Sequence, residues 1–188
     1  MNVWQKMNLA NKITMVRFML VPVFILLVTL FEGWGADLAA GFVFVVAACT
    51  DFLDGHIARS RGLVTTFGKF MDPLVDKILV TAAMVALVAL GRTPAWVVVL
   101  ILAREFAITG LRTVAVSEGV VIAASPLGKL KTTCQMVAIA LLLVCTWPVL
   151  PNTAVYVLGQ ILMYAALVLT LLSGWDYLKG CKQMLSDM

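Results

Sequence analysis

The sequence has few charged residues, few cysteines and a single histidine. Charged residues make up 13% of its 188 positions and apolar residues 62%, whereas soluble domains are about 25% charged and about 45–50% apolar. This composition excludes an ordinary soluble domain and a disordered chain. The four cysteines show no framework spacing, which excludes a disulfide scaffold. His56 has no second histidine with which to form a zinc site. The chain also lacks a phosphate-binding glycine loop and a nucleic-acid-binding module, so its net charge of +4 does not indicate nucleic-acid binding.

Long apolar stretches fill most of the chain instead, and each approaches the roughly 20 residues that a helix needs to cross a bilayer. They run over 13–31, 37–58, 71–90, 94–116, 132–150 and 153–175. Because backbone polar groups in lipid must be satisfied within each helix, the sequence predicts an all-α polytopic membrane protein. We expect one domain over 1–188, a six-transmembrane-helix bundle. Residues 1–12 are expected to form either a short interfacial amphipathic helix or an unstructured tail.

The basic residues predict the orientation of this bundle. Arg92 lies on one side of the predicted membrane with Glu32 and Asp37, and nine basic residues lie on the other. These nine are Lys6, Lys12, Arg59, Arg61, Lys69, Lys129, Lys131, Lys179 and Lys182. Because positive charge accumulates in cytoplasmic segments, both termini are predicted to be cytoplasmic.

Four aspartates lie inside the second and third spans, where ionisable groups are costly and mark function. Asp51 and Asp54 are three residues apart and Asp72 and Asp76 are four apart, so each pair shares a helix face. Asp51 and Asp76 lie about 12 Å inside their span ends, and Asp54 and Asp72 about 6–8 Å. Such an oxygen-ligand set favours Mg²⁺, Mn²⁺ or Ca²⁺ over zinc. The alternative is a set of interhelical ion pairs with Arg59, Lys69 and Lys77.

Written out, this segment is Asp51-x2-Asp54-Gly55-x2-Ala58-Arg59-x8-Gly68-x3-Asp72-x3-Asp76. The pattern resembles in full the signature of the CDP-alcohol phosphotransferase family. Three further stretches resemble the bacterial branch of that family that makes phosphatidylglycerophosphate. They are Asn11-Lys12-Ile13-Thr14-x2-Arg17, Arg104-Glu105-x2-Ile108-Thr109-x2-Arg112 and Gly128-Lys129-x-Lys131-Thr132. Ala10 departs from the branch, which often has proline at that position.

The resemblance implies transfer of the phosphatidyl group of CDP-diacylglycerol to sn-glycerol 3-phosphate, with release of CMP. It implies two bound Mg²⁺ or Mn²⁺ ions, with Asp51, Asp54 and Asp72 as metal ligands. Asp76 is implied to lie near the second metal and to act as the general base for the attacking hydroxyl. A homodimer in the bacterial inner membrane is also implied, with the polar active-site cavity open to the cytoplasm.

Five residues are candidates for binding the CDP-lipid: Asp54, Gly55, Ala58, Arg59 and Lys69. The small side chains of Gly55 and Ala58 leave room for a cytidine ring, or alternatively they allow close helix packing. Arg59 and Lys69 are placed to meet the nucleotide phosphates, or alternatively they anchor the protein on the cytoplasmic side.

The acceptor needs a phosphate site, for which Thr109, Arg112, Lys129 and Lys131 are the candidates. Glu105, Thr109 and Arg112 recur at i, i+4 and i+7 and therefore share a face of the fourth helix. The alternative is that Glu105 neutralises Arg112 or Arg104 and that both lysines are solvated anchors.

Two other functions fit the same residues. The first is the same chemistry on another acceptor, namely inositol phosphate, serine or a second phospholipid. The second is a divalent-cation transporter, which is disfavoured because the half of the predicted membrane facing Arg92 is almost wholly apolar.

Overall fold

The structure is a computed structural model that describes the backbone of residues 9–60, 66–117 and 126–186. It describes the side chains of residues 12–50, 74–75, 77–115 and 127–177. The six helices in these ranges are α1 Leu9–Leu30, α2 Trp34–Ser60, α3 Thr66–Ala89, α4 Ala95–Ser117, α5 Pro126–Val144 and α6 Asn152–Ser186. The described ranges contain no strand. The predicted all-α class and its six helices are confirmed.

Three of the described helices are long and apolar enough to cross a bilayer. The qualifying stretches are Lys12–Leu30 of α1, Leu127–Val144 of α5 and Asn152–Tyr177 of α6. Shorter apolar stretches lie in α2 and α3, over Trp34–Thr50 and Lys77–Ala89. Large apolar side chains such as Phe42 cover the outer surface of the bundle, as lipid contact requires. The chain is an integral membrane protein, and the crossing of all six helices stays a prediction.

All six helices contribute to one apolar core. Its fully buried members include Phe24 of α1, Phe44 of α2, Leu79 of α3, Ile101 of α4 and Leu142 of α5, and α6 adds Met163. The most extensive helix contact joins α5 to α6, while α1 packs on α2 and α3, and α4 packs on α6 and α3.

The close contact of α5 and α6 depends on a glycine. A Cβ atom placed on Gly159 of α6 would lie 2.8 Å from Cγ of Leu142, which is buried in α5. Real Cβ atoms do not approach other atoms so closely, so only glycine lets the helix backbones lie at this separation.

The fifth helix differs most from its predicted bounds. We expected 132–150, whereas α5 runs from Pro126 to Val144, six residues earlier at both ends. Proline suits the first turn of a helix because its missing N–H has no partner there. At the other end, the ring of Pro148 would clash with the carbonyl of Val144, so the helix stops before it. Lys129 and Lys131 consequently lie within α5.

The first and sixth helices also extend beyond their predicted spans. Residues 9–12, assigned by sequence to the N-terminal segment, belong to α1, and residues 1–8 lie outside the described residues. The sixth span was expected over 153–175, but α6 continues to Ser186. Tyr177 therefore lies on a helix that also carries buried core residues such as Met163.

A hub of hydrogen bonds centred on Arg92 ties three helices together at one end of the bundle. Its guanidinium donates to Asp37 of α2 and to the carbonyls of Leu142 and Leu143 of α5, at 3.0 and 3.1 Å. Gln160 of α6 donates to the Arg92 carbonyl. Arg92 and Asp37, which the sequence places on the same side of the predicted membrane, thus form an ion pair.

The end of α3 places Arg92 at this hub. Gly91 adopts a left-handed conformation with φ of 68°, and its N–H donates to the Val88 carbonyl. The Arg92 N–H donates to the Leu87 carbonyl at 2.8 Å. These two bonds form a Schellman motif, which terminates the helix and turns the chain back over the bundle end.

Candidate functional site

The predicted metal ligands are divided between two helices in contact. Asp51 and Asp54 belong to α2, and Asp72 and Asp76 belong to α3. The side chains of all four lie outside the described residues, as do the other CDP-lipid candidates, Gly55, Ala58, Arg59 and Lys69. A donor set of four carboxylates fits a hard divalent cation in its chemistry. The metal site and the CDP-lipid site stay predictions.

A cavity of about 260 Å³ lies between α3, α4, α5 and α6. Thr109, Arg112, Lys129 and Lys131, which are the four predicted acceptor-phosphate residues, all line it. They come from two helices, and α4 presents Glu105, Thr109 and Arg112 to the cavity on the face that their spacing predicts. The structure therefore brings the four candidates together around one space, which we call the cation-lined cavity.

The charge of this cavity is strongly positive. Among the described lining residues, five are basic and one is acidic, namely Glu105. The basic residues are Lys77, Arg104, Arg112, Lys129 and Lys131. Like charges gathered in a partly buried site repel one another unless an anion enters. The cavity is therefore suited to an anion, and its small volume suits a small one.

Glu105 holds two of these cations. It accepts hydrogen bonds from the ammonium of Lys131 and from Nη1 of Arg104, the latter at 3.1 Å. Lys131 is only 4% exposed. The sequence alternative of a Glu105–Arg104 pair is therefore present, but Lys131 is not the solvated anchor which that alternative also required. Lys129, by contrast, is exposed.

Helix α6 fixes Arg104 from the opposite side. Nη2 of Arg104 donates to Oγ of Ser173 at 2.8 Å. A Cβ atom on Gly174 would lie 3.1 Å from Cγ of Arg104, so the arginine stem packs directly on the glycine backbone. These bonds to protein groups indicate a structural role for Arg104, although it also lines the cavity.

Tyr177 of α6 forms a further wall of the cavity and was missed by sequence reasoning. Its ring centroid lies 5.7 Å from the guanidinium carbon of Arg104 and 5.5 Å from that of Arg112. Its hydroxyl accepts a hydrogen bond from Nη2 of Arg112 at 3.2 Å. The ring faces two cations as in cation–π contacts. Tyr177 lies two residues beyond the predicted sixth span, and the only signal in the sequence was its position near the basic C-terminal end.

Lys77 of α3 was the second residue missed, having been considered only as an ion-pair partner. Its ammonium donates to the hydroxyl of Thr109, and it lines the cation-lined cavity. A smaller cavity of about 90 Å³ adjoins this one and shares four lining residues with it, namely Lys77, Glu105, Lys131 and Thr132. These four residues therefore lie where the two cavities meet.

The N-terminal helix contributes a buried polar face. Thr14 and Arg17 are 2% and 1% exposed, and Val21 and Phe24 continue the same buried face at helical spacing. Arg17 therefore faces the protein interior and not lipid.

These features define a helical membrane protein with a cation-lined cavity suited to an anion, next to a helix that carries two aspartates of an acidic signature. The chain belongs to the CDP-alcohol phosphatidyltransferase family, whose model matches residues 7–172. The resemblance found in the sequence is confirmed.

Individual relatives match over nearly the whole chain. A protein of Bacillus subtilis named CDP-diacylglycerol--glycerol-3-phosphate 3-phosphatidyltransferase is 41% identical, over 90% of this chain and 93% of its own length. A protein of Shigella flexneri with the same name is 40% identical, over 96% of this chain and 98% of its own. A probable phosphatidylglycerophosphate synthase of Mycobacterium tuberculosis is 45% identical, over 90% of this chain and 79% of its own.

Proposed function

We propose that this protein transfers the phosphatidyl group of CDP-diacylglycerol to sn-glycerol 3-phosphate, giving phosphatidylglycerophosphate and CMP. The observation that carries the proposal is the cation-lined cavity between α3, α4, α5 and α6, where five basic side chains surround a volume of about 260 Å³. Serine and inositol carry no phosphate and do not need this charge. The names of the relatives support the same acceptor.

On the acceptor side, Arg112 and Lys129 bind the phosphate of sn-glycerol 3-phosphate. Arginine offers a planar fork for phosphate oxygens, and lysine offers a point charge. Lys131 contributes through the Glu105 pair, since its ammonium is already held by that carboxylate. Thr109 lies one turn before Arg112 on the same face and lines the same cavity.

On the donor side, Asp54, Gly55, Ala58, Arg59 and Lys69 hold the CDP-lipid. Asp51, Asp54, Asp72 and Asp76 hold divalent cations, for which we propose two Mg²⁺ or Mn²⁺ ions. Bound there, the ions would neutralise the diphosphate and make CMP a better leaving group.

Asp76 takes the proton from the acceptor hydroxyl. The hydroxyl oxygen forms a bond to the phosphorus that carries diacylglycerol, the bond from that phosphorus to the CMP oxygen breaks, and CMP leaves with the electron pair. A base on α3 suits this step because the same helix reaches the cation-lined cavity through Lys77. Proton transfer by a positioned side chain contributes about 10²–10⁴-fold to a rate.

The proposal also includes the setting of the enzyme. The protein forms a homodimer in the bacterial inner membrane, with both termini and the cation-lined cavity on the cytoplasmic side. The distribution of basic residues supports this orientation. It also places the cavity where a water-soluble acceptor is available.

The test is an acceptor screen with the purified protein in detergent. With CDP-diacylglycerol and Mg²⁺ or Mn²⁺, we expect CMP release with sn-glycerol 3-phosphate and none above background with serine, inositol or inositol phosphate. Release that depends on one of the latter acceptors, and not on sn-glycerol 3-phosphate, contradicts the proposal.

The role of Asp76 is tested by Asp76→Asn. The variant keeps the size of the side chain but cannot take up the proton, so turnover should fall by at least about 10²-fold while CDP-diacylglycerol binding is retained. Glu32→Gln, at an exposed acid between α1 and α2, is the matched control and should leave turnover unchanged. Full activity of Asp76→Asn would exclude it as the base.

A further inference from the structure

Lys77 connects the helix of the candidate base to the cation-lined cavity. The other described lining residues of this cavity belong to α4, α5 and α6, and Lys77 alone among them comes from α3. It directly follows Asp76 in the chain, about 1.5 Å further along the helix axis and about 100° around it. A ligand held by Lys77 therefore lies beside the helix segment that carries Asp76.

The described hydrogen bond of Lys77 leaves its charge available to an anion. Its ammonium donates to the Thr109 hydroxyl, which is a neutral group and uses one of three N–H donors. Lys131 and Arg104 differ, because both donate to the Glu105 carboxylate. Lys131 and Arg104 thus donate to a carboxylate, whereas the described hydrogen bond of Lys77 is to a neutral hydroxyl.

We propose that Lys77 determines the specificity for the acceptor by binding its phosphate dianion. This inference rests on the proposed function, and it assigns a substrate-binding role to a residue outside the acidic signature. Lys77 supplies a cation from α3 opposite Arg112 of α4, so the phosphate bridges the two helices. Bridging holds the acceptor against α3, next to the helical turn that carries Asp76.

The experiment compares Lys77→Gln and Lys77→Arg with the unaltered protein. In Lys77→Gln the KM for sn-glycerol 3-phosphate should rise by about tenfold or more, as expected for loss of one charge-assisted hydrogen bond. The KM for CDP-diacylglycerol should stay within about twofold of its original value. Lys77→Arg retains the charge and should recover part of the loss. Lys12→Gln, a change at a basic residue of α1 that does not line the cavity, should change neither constant.

A second measurement separates charge recognition from a merely structural role. The methyl diester of sn-glycerol 3-phosphate carries one negative charge in place of two. The preference of the enzyme for the dianion over this monoanion, measured as the ratio of kcat/KM values, should fall by about tenfold in Lys77→Gln. An unchanged preference, or an equal rise of KM for both substrates, would overturn the assignment.

Calorimetric binding of sn-glycerol 3-phosphate to the detergent-solubilised protein separates this inference from the proposed function. If the unaltered protein binds the acceptor but releases no CMP, the proposed reaction fails, and Lys77 is judged by whether Lys77→Gln weakens that binding tenfold. If the unaltered protein turns over and Lys77→Gln matches it in binding and KM, only the Lys77 inference fails. If the unaltered protein neither binds nor turns over, both fail.

Discussion

The replacement of Glu105 by glutamine tests how the cation-lined cavity keeps its charges in place. Glu105 accepts hydrogen bonds from Lys131 and Arg104. The side chain of Lys131 is 5% exposed and that of Glu105 is 25% exposed. Glu105→Gln keeps the shape of the side chain but removes its charge, and therefore leaves the ammonium of Lys131 buried without a counter-charge.

The size of the effect follows from this difference in exposure. Breaking a fully buried ion pair by removing one partner costs about 3–5 kcal/mol. Glu105 is partly solvated and glutamine still accepts one hydrogen bond, so we expect a loss of about 2–4 kcal/mol in the free energy of unfolding. Lys131→Met should cost less, about 1 kcal/mol, because it removes the more buried charge and leaves Glu105 with water and Arg104.

Thermal unfolding in detergent micelles measures this difference. For a chain of this size about 1 kcal/mol corresponds to roughly 2–4 °C, so Tm should fall by roughly 4–16 °C in Glu105→Gln. The double variant Glu105→Gln/Lys131→Met should be more stable than Glu105→Gln alone, since it no longer buries an unpaired cation. A Tm for Lys131→Met at or below that of Glu105→Gln would refute the reasoning.

Three further changes test other parts of the structure. Gly159→Ala forces a Cβ against buried Leu142 and should lower the free energy of unfolding, measured in a thermal melt, by about 1–3 kcal/mol. Gly110→Ala, where the space is open, should not lower it. Equal stability of the two variants would contradict the close α5–α6 contact. Tyr177→Phe removes the hydroxyl that accepts a hydrogen bond from Arg112 and should raise the KM for sn-glycerol 3-phosphate about two- to tenfold. The KM for CDP-diacylglycerol should not change. A rise in the KM for CDP-diacylglycerol alone would assign Tyr177 to the CDP-lipid site. Asp37→Asn removes the charged partner of Arg92 and should lower the free energy of unfolding by about 1–3 kcal/mol, measured as a lower Tm, with both KM values unchanged. A selective change of either KM would show that the hub acts on the substrate site.

The helices and the family were predictable because their signals are local. Apolar stretches indicate helices where the chain meets lipid. Asp51 and Asp54 lie about one helical turn apart, as do Asp72 and Asp76, so each pair was predictable from a short segment of sequence. The face shared by Glu105, Thr109 and Arg112 was predictable for the same reason. Helix periodicity alone places these side chains on one side.

The partners across helices were not predictable in the same way. Lys131 was predicted to bind the acceptor phosphate, with an interfacial anchor as the alternative, but neither reading included its bond to Glu105, beside which the earlier start of α5 at Pro126 places it. Lys77 and Tyr177 were missed because their role depends on how α3 and α6 pack against α4. No pattern within either segment encodes that packing.

The Arg92 hub has a consequence for motion in the bundle. It joins α2, α5 and α6 to the residue that lies three positions before α4, and Arg112 lies 17 residues along α4 from its start at Ala95, about 25 Å away by helix rise. A tilt of α4 by about 5° around its hub end would move the helix by about 2 Å at that distance, which is enough to make or break a hydrogen bond. The bonds at the hub therefore limit how far α4 can tilt at the other end, where the acceptor is proposed to bind.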